Sequence, residues 1–135
     1  MGKYNERSTY EKNYKLRITS WKTNQFSRAC RVGNQISVSG TAPIKNGETV
    51  YIDDVYNQTK YCLQLSIGAI EEAGGNINDV IRTRIMLTDI SQWEAAVTAH
   101  GELFWAIKPA CTFIEVSLFI DEQWLVETEI DCVVI

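Results

Sequence analysis

The sequence predicts an α+β fold in which two helices pack on one face of a single mixed β-sheet. Short segments that alternate apolar and polar residues, as strands do, surround two longer segments whose apolar residues recur at helical spacing. These segments follow one another in the order β-β-α-β-α-β-β, without an internal repeat. With 135 residues, 45% of them hydrophobic and 22% charged, the chain matches one globular domain, which we expect to span residues 1–135.

The first two strands are predicted to form a hairpin. Arg28–Gly33 and Gln35–Thr41 flank Gly33-Asn34, a pair of residues that favours a tight turn. Alternation divides the side chains of the second strand into two sets, with Ile36, Val38 and Gly40 on one side and Ser37, Ser39 and Thr41 on the other.

Two less regular segments lie on either side of this hairpin. Tyr14–Trp21 partly alternates and can form an edge strand. After the hairpin, Pro43 and Lys45-Asn46-Gly47 indicate a loop.

The first helix is predicted to begin after Asp53-Asp54 and to end at Ala73, before Gly74-Gly75. An aspartate can cap a helix by accepting a hydrogen bond from a backbone N–H of the first turn, and glycine commonly follows the last turn. At 100° per residue, one face collects mostly small residues, which let a helix lie close to a sheet: Val55, Thr59, Cys62, Ser66, Ala69, Ile70 and Ala73.

A strand and a second helix are predicted next. Ile81–Thr88 alternates, with Arg82, Arg84 and Met86 on one side and Ile81, Thr83, Ile85 and Leu87 on the other. Ser91 is expected to cap the second helix. The apolar stripe of this helix comprises Trp93, Ala96, Val97, His100, Leu103 and Phe104.

Two further strands, at Cys111–Phe119 and Trp124–Ile135, complete the sheet. The last strand presents Leu125, Glu127, Glu129, Asp131 and Val133 on one face. Like charges ~7 Å apart repel, so the three carboxylates need cationic partners, water or a partly protonated member. Two interpretations remain open: a solvated face with cross-strand partners such as Arg82 and Arg84, or a cleft in which one carboxylate handles a water or a proton.

The composition excludes several kinds of site. Lys and Arg total 13 against 17 Asp and Glu, a net charge of −4 that argues against binding to nucleic acid. A single histidine and scattered cysteines without a CxxC pair argue against a metal site, and we expect no cofactor. The four cysteines, predicted to be free thiols, are Cys30, Cys62, Cys111 and Cys132.

Two single residues allow a chemical and a structural interpretation. His100 lies on the apolar stripe of the second helix, where a packed and hydrogen-bonded histidine is more common than a catalytic one. Cys111 follows Lys108, which can lower the pKa of a nearby thiol, but a buried structural cysteine is the more common case.

The chain is expected to be cytoplasmic. It contains no apolar run of the ~20 residues that a membrane span requires, and its polar start lacks the apolar stretch of an export signal.

Residues 24–135 resemble the Rid family, the reactive intermediate deaminases, which are also called YjgF and labelled L-PSP endoribonucleases. The similarity lies in an ordered set of short segments: Phe26–Asn34, Val38–Thr41, Gly74-Gly75 with Asp79-Val80, Lys108–Thr112 with Glu115-Val116, and Leu125–Ile130. Residues 1–23 form an extension outside this resemblance.

The resemblance implies a homotrimer with a cleft for a small metabolite at each subunit interface. In deaminating members, a glutamate on the last strand positions the water that attacks an imine, which releases ammonia and a 2-oxo acid; this glutamate corresponds to Glu129. Ser39 and Gly40 correspond to residues that line the cleft. Other ligand-binding positions correspond to Phe26 and to the strand start at Cys111, Thr112 and Phe113.

Two of these positions depart from the deaminase pattern. Cys111 stands where deaminases have an arginine that grips the substrate carboxylate, and Phe26 stands where many have a tyrosine. Loss of the arginine contact costs ~2–5 kcal/mol of binding, because a thiol provides neither the charge nor the paired donors. The resemblance thus leaves open a hydrolase for imines or enamines, a regulatory trimer that binds a metabolite without turnover, and an endoribonuclease, which the acidic composition disfavours.

Overall fold

The computed structural model describes residues 15–18 and 26–135. Eight strands and two helices are present in these residues: β1 (Lys15–Ile18), β2 (Ala29–Val32), β3 (Gln35–Thr41), β4 (Ile44–Lys45), β5 (Glu48–Thr49), α1 (Val55–Glu72), β6 (Val80–Leu87), α2 (Trp93–Phe104), β7 (Ala110–Glu115) and β8 (Val126–Val133).

Six of the strands form one mixed sheet in the order β1-β2-β3-β8-β6-β7. Neighbours are antiparallel except β6 and β7, which are parallel and are connected through α2. Both helices cover the same face of the sheet, where Phe104 of α2 and Ile70 of α1 join Ile85 and Ile130 in one apolar core. The predicted fold class is therefore confirmed.

The N-terminal half follows the prediction closely. The hairpin turns at Gly33, whose φ of 58° lies in the left-handed region that glycine adopts without strain. β1 is an edge strand inside the predicted segment Tyr14–Trp21, of which residues 14 and 19–21 lie outside the described part. The predicted loop after Pro43 contains a small separate hairpin of β4 and β5, which turns at Asn46 and Gly47.

Helix α1 begins at the predicted residue and ends at Glu72, one residue before the predicted end, with Ala73 as its C-cap. The Asp54 carboxylate accepts a hydrogen bond from the backbone N–H of Asn57 (3.0 Å), and this bond lowers the pKa of Asp54. After the last turn, Gly74 adopts a φ of 88°. The predicted small-residue face is buried, together with Gln58 and Leu63. Among the described residues, neither helix combines the length and the apolar character needed to cross a membrane.

The predicted cap of the second helix is wrong. The carboxylate of Asp89, not Ser91, accepts the backbone N–H bond (3.0 Å), and it caps a short 3₁₀ turn over Ile90–Gln92 that precedes α2. Ser91 instead donates its hydroxyl to Asp89 (2.6 Å). Aspartate also caps helices well, and its position two residues earlier reflects the extra turn.

Simple alternation fails at two bulges. Thr41 is buried and Gly40 exposed, the reverse of the prediction, because the register between β3 and β8 shifts between Val38 and Thr41. In β6, Ile81 is exposed whereas Thr83, Ile85 and Leu87, which were predicted to share its side, are buried, because the register with β8 shifts between Val80 and Arg82. The stripe of α2 is also wrong at Trp93, which is 46% exposed.

The side of the sheet that faces away from the helices, here called the outer face, is polar. Along β8, Val126, Thr128, Ile130 and Cys132 are buried toward the helices, whereas Glu127, Glu129, Asp131 and Val133 are half-buried on the outer face. This arrangement confirms the predicted carboxylate stripe. Cross-strand register aligns the stripe with residues of the neighbouring strands, which form rows across the sheet. The row through Asp131 comprises Arg17, Cys30, Ser37, Asp131 and Arg82. The row through Glu129 comprises Glu129, Arg84 and Thr112.

Candidate functional site

A cavity of about 450 Å³ opens on the outer face. Five strands and the residues just before β2 contribute to it, so its shape depends on the register of these five strands. It is lined by Arg17, Phe26, Ser27, Cys30, Ser37, Val38, Ser39, Arg84, Glu129 and Asp131. The volume is in the range of small-molecule sites.

Glu129 lies in this cavity and is held by a cation from the neighbouring strand. The guanidinium of Arg84 donates a hydrogen bond to Oε1 of Glu129, and both side chains are about two-fifths exposed. The cross-strand partner predicted for the carboxylate stripe is thus present at Arg84. Arg82 differs, since it donates to the hydroxyl of Thr112 (3.2 Å).

The other two carboxylates of the stripe are in different environments. Asp131 accepts a hydrogen bond from the hydroxyl of Ser37 (2.9 Å). Burial, together with the negative charge of Glu129, raises the pKa of Glu127 above its ordinary value. This shift favours the protonated form of Glu127, which reduces the repulsion along this face.

A β-bulge faces Glu129 from β3. Val38 pairs with Ile130 and Thr41 with Thr128, so Ser39 and Gly40 together lie opposite the single residue Glu129. A Cβ atom on Gly40 would lie 2.8 Å from Oε1 of Glu127, so the glycine permits a close approach of the Glu127 carboxylate to the backbone.

Ser39 and Phe26 form the wall of the cavity beside the bulge. The hydroxyl of Ser39 donates to the carbonyl of Ser27 (2.6 Å), which fixes the segment that leads into β2. The ring of Phe26 is 56% exposed and lines the same cavity. The structure therefore brings together Glu129, Ser39, Gly40 and Phe26 of the predicted site residues.

Cys111, Thr112 and Phe113 lie elsewhere, on the edge strand β7. Cys111 pairs in register with Thr83 and packs against the apolar core, on the side of the sheet that carries the helices. Thr112 is on the outer face, two strands from Glu129, and accepts the bond from Arg82. Within one chain, therefore, Cys111 and Glu129 are on opposite faces of the sheet.

The environment of Cys111 is that of a packed structural cysteine rather than that of an activated nucleophile. Burial raises the pKa of its thiol. Lys108, the residue considered as an activating cation, donates its ammonium group to the backbone carbonyl of Trp105 (2.7 Å). The cysteines are free thiols, as predicted.

His100 is packed and partnered, as the sequence predicts. Its Nε2 lies 2.8 Å from the hydroxyl of Thr83, and its ring contacts those of Phe104 and Phe113 at centroid distances of 4.7 and 6.1 Å. Burial lowers its pKa, so the neutral form is favoured. In residues 15–18 and 26–135, no group of three His, Cys, Asp or Glu side chains is arranged to hold a metal ion.

Seven residues of the cavity are not among the predicted site residues: Arg17, Ser27, Cys30, Ser37, Val38, Arg84 and Asp131. A signal for Arg17 is present, because Leu16 and Ile18 are apolar and buried on either side of it. Alternation in β1 therefore places Arg17 on the outer face. Its presence in the same cavity as Glu129 follows only from the order of the strands in the sheet, which short-range patterns do not encode.

Comparison with known proteins agrees with this fold. The family model described as Endoribonuclease L-PSP matches residues 19–134. An uncharacterised protein of Streptomyces coelicolor is 38% identical over 107 residues, which cover 78% of this chain and 79% of that protein. A RutC family protein of Pyrococcus abyssi is 36% identical over 94 residues, which cover 68% of this chain and 73% of that protein.

Solved structures show the same architecture. Rv2704 of Mycobacterium tuberculosis, a member of the YjgF/YER057c/UK114 family, matches with a TM-score of 0.80 at 33% identity, over 89% of this chain and 99% of that one. The YjgF gene product of Escherichia coli matches with a TM-score of 0.75 at 21% identity, over 87% of this chain and 93% of that one. The chain therefore belongs to the Rid/YjgF family, whose model carries the description Endoribonuclease L-PSP.

Proposed function

We propose that the protein hydrolyses small imines or enamines to a carbonyl compound and ammonia, with Glu129 positioning the water. The observation that carries this proposal is the position of Glu129. Its carboxylate is held by Arg84 in a cavity of about 450 Å³ and faces the bulge formed by Ser39 and Gly40. Membership of the Rid/YjgF family adds support, since Glu129 corresponds to the water-positioning glutamate of its deaminating members.

The chemistry requires only a carboxylate and a water. The water oxygen attacks the carbon of the C=N bond while Glu129 accepts a proton from it. Glu129 passes this proton to the nitrogen, which gives a carbinolamine. The hydroxyl proton of the carbinolamine then moves to the nitrogen as the C–N bond breaks, so the products are a C=O group and ammonia. An enamine enters this route after it has tautomerised to the imine.

We further propose that the working site is shared between the subunits of a homotrimer. Cys111 and Glu129 lie on opposite faces of one chain, so they can meet in one cleft only if a second subunit supplies β7. The exposed apolar residues around β7 support an interface there, since Ile114 is 45%, Leu118 70% and Ile120 95% exposed. Sedimentation showing a stable monomer at micromolar concentration would contradict the shared cleft.

The hydrolase proposal is tested by ammonia release from freshly generated 2-aminoacrylate and from a neutral amide analogue. We expect the protein to accelerate the release of ammonia from both compounds. The rate with the neutral analogue should be only slightly lower, because Cys111 does not bind a substrate carboxylate. Rates equal to those in buffer for every substrate tried would refute the proposal.

A trimer that binds a metabolite without turnover is the second candidate. The observation in its favour is Cys111 itself, which stands where deaminating members have an arginine. A version in which Cys111 senses oxidants or electrophiles requires a reactive thiolate, but burial raises the pKa of this thiol.

We expect Cys111 in the folded protein to react with iodoacetamide more slowly than a free thiol at neutral pH. Because the thiolate is the nucleophile and its pKa is raised, the rate should increase as the pH rises above neutrality. Peptide mass spectrometry of timed samples measures the rate, and the same peptide in the urea-unfolded protein is the control. Equal or faster labelling in the folded state would restore the sensor hypothesis.

A further inference from the structure

We propose that Arg17 binds an anionic group of the ligand in the outer-face cavity, several bonds away from the carbon that reacts. The inference rests on the proposed function in so far as the reacting carbon lies beside Glu129. It assigns to this chain a ligand contact that Cys111 does not provide.

In the described part of the chain, Arg17 is the cation of this cavity that no acidic side chain pairs with. Arg84, the other arginine in the lining, donates to Glu129. Among the described residues, Arg17 forms no salt bridge, and its side chain is exposed on the outer face between buried Leu16 and Ile18. A guanidinium offers paired N–H donors that match a carboxylate or a phosphate.

The rest of the lining suits a small organic anion. The ring of Phe26 provides an apolar surface, and Ser37 and Ser39 bring hydroxyl groups. Glu129 and Asp131 are half-buried acids on the β8 side of the cavity. Glu129 accepts a hydrogen bond from Arg84, and Asp131 accepts one from Ser37. An anionic group is therefore favoured at the β1 end, next to Arg17, and disfavoured at the β8 end.

The strand order also gives the distance between the β1 end and the β8 end of the cavity. Arg17 aligns through Cys30 and Ser37 with Asp131, which is three strands away on β8 and two residues from Glu129. Three strand spacings of about 4.8 Å place the backbones about 14 Å apart. Because the Glu129 carboxylate is bonded to Arg84 of β6, on the side of β8 away from β1, an anion on Arg17 lies several bonds from a carbon that a Glu129-bound water attacks. A carboxylate several bonds from the C=N carbon is therefore better placed to reach Arg17 than one attached to that carbon.

The ligand class is therefore a small imine, or its carbonyl product, that carries a distal anionic group. 2-Oxoglutarate has such a distal carboxylate, whereas 2-oxobutanoate has only the carboxylate beside its carbonyl carbon. These two stable compounds serve as probes, because their binding is measured without any turnover.

The test is isothermal titration calorimetry of both probes with the wild-type protein, Arg17→Met and Arg28→Met. Arg28→Met is the matched control, because it removes the same charge but Arg28 lines a different cavity, beside α1. We expect the wild type and Arg28→Met to bind 2-oxoglutarate about 10- to 100-fold more tightly than 2-oxobutanoate. Arg17→Met should remove this preference, and Arg17→Lys should restore part of it.

The inference would be overturned if the wild type bound the two probes with equal affinity, or bound neither at millimolar concentration. It would also be overturned if Arg17→Met kept the preference for 2-oxoglutarate, or if Arg28→Met lost that preference as fully as Arg17→Met. Circular dichroism of Arg17→Met, with a melting temperature equal to that of the wild type, separates a lost contact from lost structure. If the distal anion binds through Arg17 but no imine releases ammonia, the proposed hydrolase fails while the binding site stands. If ammonia is released and Arg17→Met changes neither binding nor rate, the hydrolase stands while the Arg17 site fails.

Discussion

Replacing Gln58 with leucine is expected to lower the free energy of unfolding by about 3–4 kcal/mol. The Gln58 side chain is fully buried in α1 and bonded to three backbone groups. Its amide nitrogen donates to the carbonyls of Gln123 (3.0 Å) and Val50 (3.3 Å), and its amide oxygen accepts from the N–H of Leu125 (2.8 Å). Leucine has a similar size but cannot form these hydrogen bonds. Each buried backbone group that is left without a partner costs about 1–3 kcal/mol.

Urea unfolding followed by tryptophan fluorescence measures this loss, at a fixed protein concentration because association would add to stability. Gln64→Leu is the control, since Gln64 is exposed on the same helix and its replacement should change stability by no more than about 0.5 kcal/mol. Equal unfolding midpoints for the two variants would show that the Gln58 bonds contribute little net stability.

Local signals account for what the sequence predicted well. The cap at Asp54, the glycine after α1 and the turn at Gly33 each act within a few residues of themselves. The failures at Thr41 and Ile81 have one physical cause. A bulge inserts an extra residue into one strand, and the side chains beyond it exchange faces without any change in the apolar pattern.

The candidate site was predicted only in part for a related reason. Alternation was sufficient to place Glu129 on the outer face, and the resemblance to the Rid family was needed to choose it from the three carboxylates of the stripe. The contribution of Arg17 depends on three strand pairings, and that of Gln58 on contacts with residues 65 and 67 positions later. Such distant contacts are decided by the whole fold rather than by the local pattern.

Glu129→Gln is expected to reduce the rate of ammonia release by a factor of about 10² to 10⁴. Glutamine keeps the size of the side chain and can still hydrogen-bond, but it cannot accept the proton of the attacking water. The melting temperature should stay close to that of the wild type, because an ion pair that is about two-fifths exposed contributes little to stability. Steady-state assays on a substrate that the wild type turns over measure the effect.

Two further variants separate catalysis from charge and from the ion pair. Glu71→Gln makes the same chemical change on the exposed side of α1 and should leave the rate unchanged. Arg84→Met breaks the bond to Oε1 of Glu129 but keeps the carboxylate, so we expect a smaller loss than in Glu129→Gln. If Arg84→Met reduced the rate as much as Glu129→Gln, the glutamate would act by holding the arginine. If Glu129→Gln kept the full rate, the water would be activated elsewhere.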